Sequence, residues 1–304
     1  MYELYSQIKY WRCCFMYLLV VSEINQFKFR IMRCKILLLS LIVLGGIISC
    51  ATNPFTGKTN LNFVSNSELF PSSFQQYGTF LKKNKVIEGT SDAKRVELVG
   101  TKIKDAAEKY LTSIGKPDYL NDYKWEYKLV ESKEVNAWCL PGGKIVVYSG
   151  ILPITKDEAG LATVLGHEVS HALANHGAQR MSAGQLQQLG SIGVALATGN
   201  QSAENQQMWQ QIYGAGSELG VMLPYSRAHE NEADMIGLTL MAIAGYNPEE
   251  AVAFWERMSK KPDGQQVSME FMSTHPSDAS RIANIRSLIP QAKATAAKFG
   301  VYFK

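Results

Sequence analysis

The stretch that decides the fold is "LATVLGHEVSHALANHG", residues 161–177. It is rich in helix-forming alanine and leucine, yet it carries three of the five histidines in the 304-residue chain. His167 and His171 are four apart and enclose Glu168, so the segment contains H-E-x-x-H. On a helix, positions i and i+4 share one face a turn apart. The two imidazoles can therefore address one ion at Zn–N distances of about 2.0–2.1 Å. Glu168 lies about 100° round the helix from His167. It does not join them as a ligand, but it can take a proton from a water at the ion's open position. Such a pattern also arises by chance in helical proteins, so a further ligand from elsewhere in the chain has to be found.

Working outward, "SRAHENEADMIG" (226–237) supplies Glu230 and Asp234, again four apart on one helical face. Glu230 can complete a His2Glu set that leaves a fourth position open, so one Zn2+ per chain is expected. Asp234 can accept a hydrogen bond from a ligating imidazole and fix its tautomer. Glu232, about 200° round from Glu230, is left out. His229 reads as a packing or surface residue, and His176 as a cation suited to a helix C-terminus. The motif helix is expected to start at Thr155, with Glu158 completing a capping box, and to stop at Gly177.

The flanking sequence predicts a mixed fold. Further helices are expected over 93–111, from Ser226 to Ala244, after Asn247–Pro248 and beyond His275. "WEYKLV" (125–130) and "KIVVYSGIL" (144–152) read as strands on either side of the turn "PGG" (141–143), a hairpin or small sheet. The class is α+β and mainly helical.

Residues 1–49 hold six basic and two acidic residues, which leaves the rest of the chain with 25 of each and no net charge. Nothing in that balance favours nucleic acid as a partner. Within the leader, "MRCK" (32–35) is a positive n-region and "ILLLSLIVLGGI" (36–47) an apolar run of signal length. "IISC" (47–50) resembles a lipobox. The organisation expected is a leader over 1–49, with Met32 the true start, then lipidated Cys50 and a tether over 50–70, then a zinc metallopeptidase domain over 71–304. Cys139 alone remains in the mature body, so no intramolecular disulfide is expected.

"HEVSH", "SRAHENEAD", "AGYNP" and "THPSDASRI" together resemble metallopeptidase family forty-eight, which includes HtpX-like and CAAX-prenyl-protease-like enzymes. The resemblance is to its soluble periplasmic lipoprotein branch, and "NAWCLPGGKIVVYSGIL" (136–152) resembles the segment before the motif helix. It implies a gluzincin-like zincin domain with a small sheet or hairpin at the active-site edge. It also implies a zinc endopeptidase held by its lipid to a bacterial envelope, at the outer membrane and facing the periplasm. The implied substrates are unfolded or misassembled envelope proteins, and Lys144–Ser149 is the expected edge strand for polypeptide binding by β-addition. His275, extended by Pro276, is expected near the open zinc position as a weak fourth ligand or oxyanion donor. Arg281 is expected to supply positive charge nearby. The rival reading is a non-proteolytic chaperone or assembly lipoprotein with a structural zinc, for which Glu168 has no use.

Overall fold

The computed structural model describes residues 50–217, 222–260, 266–267, 275 and 279–303, so the expected leader lies outside the described residues. The chain divides into Met1–Cys50, of which Cys50 alone is described, and Ala51–Lys304. In chain order the elements begin with strands β1 (Cys50–Thr52) and β2 (Thr59–Leu61), helix α1 (Asn66–Lys83), β3 (Val86–Ile87) and α2 (Ser91–Ser113). Then come β4 (Glu126–Val130), β5 (Glu134–Val135), β6 (Ala137–Leu140), β7 (Lys144–Tyr148), a short α3 (Leu152–Thr155) and α4 (Glu158–Leu173). The chain continues through α5 (His176–Thr198), α6 (Ala203–Ser217), α7 (Leu223–Ile243), α8 (Glu250–Ser259), β8 (Gln266–Val267) and α9 (Ala279–Ala297). The architecture is the expected mainly helical α+β. No helix among the described residues is long and apolar enough to cross a membrane.

The main sheet has the order β3-β4-β7-β6. The turn at Pro141–Gly143 joins β6 to β7 as an antiparallel hairpin, with Trp138 opposite Val146. Gly142 and Gly143 both sit at φ 85, a conformation that costs glycine least. Of the hairpin or small sheet that the sequence allowed for the strands at 126–130 and 144–148, the small sheet is found: β4 runs parallel to β7. A tight turn joins the strands that directly flank it, and those are β6 and β7. The expected edge strand is corrected: Lys144–Ser149 does not offer an edge, because β7 is hydrogen-bonded to β4 on one side and β6 on the other. The edge on that side is β6.

Helix α4 carries the motif and is buried on every side, from Gly160 to Leu173. It packs against α2, α7, α8 and β6, as an all-round apolar helix must. Its start differs from expectation. Thr155 ends α3, Lys156 intervenes at φ 64, and the Asp157 carboxylate caps α4 by accepting the Gly160 N–H at 2.9 Å. Its end differs too: Asn175, left-handed at φ 56, breaks the helix, and α5 begins at His176 and runs through Gly177. The Tyr119 hydroxyl donates to the Leu173 carbonyl at 2.8 Å, one of those that a helix end leaves short of backbone donors, and the Tyr123 hydroxyl to the Ala172 carbonyl at 3.1 Å, which also accepts from the Asn175 N–H.

The second motif helix, α7, crosses α4 where Gly237 meets Gly166. A Cβ on Gly237 would stand 2.9 Å from the Gly166 carbonyl carbon and the His167 nitrogen. The contact sets the spacing of the two motif helices. The stretch expected as a tether is also corrected. Asn53 is buried, Phe55 stacks on Tyr110 at 4.9 Å, and α1 already begins at Asn66. These side chains bury surface that a solvated linker would leave in water.

Candidate active site

Four donor atoms from three chain segments converge beside the helix crossing. α4 brings His167 and His171, α7 brings Glu230, and the segment ahead of α9 brings His275; all four residues are buried. His167 Nε2 lies 3.1 Å from His171 Nε2 and 3.1 Å from His275 Nδ1. The Glu230 carboxylate lies 3.2 Å from His167 Nε2, 3.3 Å from His171 Nε2 and 2.8 Å from His275 Nδ1. Donors at about 2.0–2.1 Å from a tetrahedral ion stand about 3.3 Å apart, so these separations approach the edges of a zinc coordination shell.

The surrounding charges act differently on the two α4 imidazoles. Burial and the Arg281 charge press His167 toward neutrality, but the Asp234 and Glu230 carboxylates outweigh them and hold its pKa up to about 9. Burial, reinforced by His167, keeps His171 well below the ordinary histidine value, so it is neutral and able to offer a lone pair. Burial alone would raise Glu230, but His167, His171 and His275 together pull its carboxyl far below the usual range.

The outer contacts orient these donors. His167 Nδ1 is 2.9 Å from Asp234 Oδ1. Arg281 donates to both Asp234 oxygens, from Nε at 2.9 Å and from a terminal nitrogen at 2.8 Å. Its guanidinium also lies 3.7 Å over the Trp255 ring. Arg281 is buried and also reaches Glu230 Oε2 at 3.4 Å, so it holds the Asp234 carboxylate and brings the expected positive charge to the edge of the donor cluster. Glu168 is buried, and its Oε1 has no hydrogen-bond partner among the described residues; His275 Nε2 stands 3.6 Å away. Glu168, His171 and His275 open onto a cleft that β6 lines with Trp138, Cys139 and Leu140.

The structure thus brings together every residue that the two motifs nominated, with His275 at the fourth corner. Cys50 is exposed, at the start of β1. Two residues read as incidental are not. His176 is fully buried, and burial lowers its pKa, so it is not the helix-end cation expected. Glu232 is buried beside it, with Oε2 3.0 Å from His176 Nε2. His229 packs, as expected, stacking on His176 at 4.1 Å.

A mainly helical domain in which a glutamate-bearing helix crosses an H-E-x-x-H helix is the framework of a zinc metallopeptidase. Residues 97–289 match peptidase family M48, and the chain belongs to that family. Peptidases of this family use zinc, and the His/Glu cluster is a group able to hold such an ion. The chain is 38% identical over 174 residues to mitochondrial metalloendopeptidase OMA1 of Schizosaccharomyces pombe, covering 57% of this chain and 49% of that protein. It is 35% identical over 221 residues to OMA1 of Saccharomyces cerevisiae, covering 69% and 61%. Against the beta-barrel assembly-enhancing protease of Escherichia coli it is 28% identical over 193 residues, covering 60% and 39%. The chain therefore spans about two fifths to three fifths of the length of these relatives.

Proposed function

We propose that the protein is a zinc-dependent endopeptidase that hydrolyses peptide bonds of extended polypeptide chains. The observation that carries this reading is the convergence of His167, His171, Glu230 and His275 beside a buried Glu168 oxygen that accepts no hydrogen bond among the described residues. His167, His171 and Glu230 would hold the ion, Asp234 would fix the His167 tautomer, and Arg281 would hold Asp234. When bound, zinc would polarise the scissile carbonyl and bring the pKa of a water at the open position to about 7. Glu168 takes the proton from the attacking water and passes it to the leaving amine. His275 Nδ1, 2.8 Å from the Glu230 carboxylate, would compete with water or a substrate carbonyl for the ion's remaining position. A structural zinc would leave Glu168 without a partner or a purpose, which argues against the chaperone reading.

Substrate would lie along β6. The Asn136 carbonyl accepts from Tyr148 and the Leu140 carbonyl from Gly143. Alternation along an antiparallel strand then turns the backbone groups of Ala137 and Cys139 outward, toward an added strand. Cys139→Pro removes one outward N–H without touching the inner ladder. It is expected to raise KM for a peptide severalfold at unchanged zinc content, and an unchanged KM would remove β6 from recognition.

The lipobox-like "IISC" ending at Cys50 supports an envelope protein anchored by lipid. The name of the Escherichia coli relative, a beta-barrel assembly-enhancing protease, supports envelope proteins as the substrate class, and the family resemblance narrows it to unfolded or misassembled ones. Casein hydrolysis with and without a chelator tests the activity. Cleavage that stops with chelator and returns with zinc is expected; zinc-loaded protein that leaves casein intact would overturn the proposal.

A further inference from the structure

The two imidazoles that α4 brings to the donor cluster are secured in different ways. His167 turns its Nδ1 directly to Asp234. His171 Nδ1 instead meets His176 Nδ1 at 2.9 Å. Beyond it, His176 Nε2 is 3.0 Å from Glu232 Oε2, and the Thr56 hydroxyl donates to Glu232 Oε1 at 2.6 Å. We infer that His176 and Glu232, backed by Thr56, are positioning residues that orient His171, and that the loop Asn53–Lys58 is thereby tied to the metal-binding nitrogen. The inference rests on the proposed use of His171 as a ligand.

The proton positions follow from the geometry. His171 can offer a lone pair from Nε2 only when its own proton sits on Nδ1. Two facing ring nitrogens share a single proton, so His171 Nδ1 donates and His176 Nδ1 accepts. That leaves the His176 proton on Nε2, where it donates to Glu232. Each link has one consistent assignment, and the chain ends on a carboxylate, as ligating histidines commonly require. Packing holds the relay in register. The His176 ring is stacked on His229 with an interplanar angle of 15°, and His229 Nε2 stands 3.0 Å from Gln179 Oε1. Thr56 sits in a closed loop, where the Asn53 N–H donates to the Lys58 carbonyl at 2.8 Å. The loop lies just beyond Cys50, so the segment that would carry the lipid also closes the relay.

The test measures zinc affinity by competition with a chromophoric chelator, together with the visible spectrum of the cobalt-substituted protein. Glu232→Gln and His176→Leu are expected to weaken zinc binding by about 10–100-fold, the usual cost of losing an outer partner, and to alter the cobalt bands. Thr56→Val should shift both readouts in the same direction by less, and Thr56→Ser should restore them. The half-buried Thr56 carries the test if the buried variants do not fold. His171→Ala is the control. Affinity and spectra unchanged in the Glu232, His176 and Thr56 variants, with metal lost in His171→Ala, would overturn the relay alone. Full affinity in His171→Ala would overturn the ligand assignment on which it rests.

Discussion

Gly237→Ala adds one methyl group at the crossing of α4 and α7. The new Cβ would lie 2.9 Å from the Gly166 carbonyl carbon, 2.9 Å from the His167 nitrogen and 3.0 Å from the Gly166 oxygen. All three are backbone atoms, so no side chain can turn aside. Comfortable carbon contacts are about 3.5–4.0 Å, so the helices must part by about 0.6–1 Å. That separation falls between His167 and His171 on one helix and Glu230 on the other. Functional constellations tolerate about 0.5 Å and metal–ligand distances about 0.2 Å. Overpacking costs about 1–3 kcal/mol, and zinc affinity is expected to fall at least tenfold, about 1.4 kcal/mol. Chelator competition and thermal denaturation with and without zinc measure both. The zinc-dependent rise in Tm should shrink as well as the baseline Tm. Gly78→Ala, in α1 where a Cβ meets nothing within 4 Å, should be neutral or stabilising by about 0.4–1 kcal/mol. Unaltered zinc affinity and Tm in Gly237→Ala would refute the claim that this crossing sets the site.

Further outcomes are expected. Glu230→Ala removes a ligand and should reduce zinc affinity by more than Glu232→Gln does, beyond the about 100-fold ceiling of an outer partner; equal losses would sink the ligand assignment. His275→Ala should retain zinc and raise basal cleavage, because it clears the fourth corner. A fall in kcat at constant zinc would assign the imidazole to the developing oxyanion instead. Cys50→Ala should release the protein from membranes or leave its precursor unprocessed. Mass spectrometry showing a mature, unlipidated N-terminus other than Cys50 would contradict the anchor.

Much of the donor set was legible because helical spacing fixes it: His167 with His171, and Glu230 with Asp234, each share a face by virtue of being four apart. What the sequence hid depended on backbone reversals. His171 and His176 are five apart, about 140° round a continuous helix, so they read as unrelated. The left-handed Asn175 breaks the helix and folds His176 back onto its neighbour. Glu232 then seemed to point away from the site when it points to the relay. The sequence left hairpin and small sheet open because a turn reveals its nearest partners and says nothing of β4, which joins β7 through tertiary packing. Helices α5 and α6 were hidden by a Gln-, Gly- and Ser-rich composition with little apolar periodicity.

The most direct test of the central claim is a paired measurement on Glu168→Gln: zinc bound per chain, and the rate of casein cleavage. The substitution keeps the shape of a buried side chain that contributes nothing to the donor cluster. One zinc per chain with hydrolysis lost is expected, since the proton acceptor is gone while His167, His171 and Glu230 remain. Cleavage at the unaltered rate, or loss of zinc together with activity, would contradict the role given to Glu168.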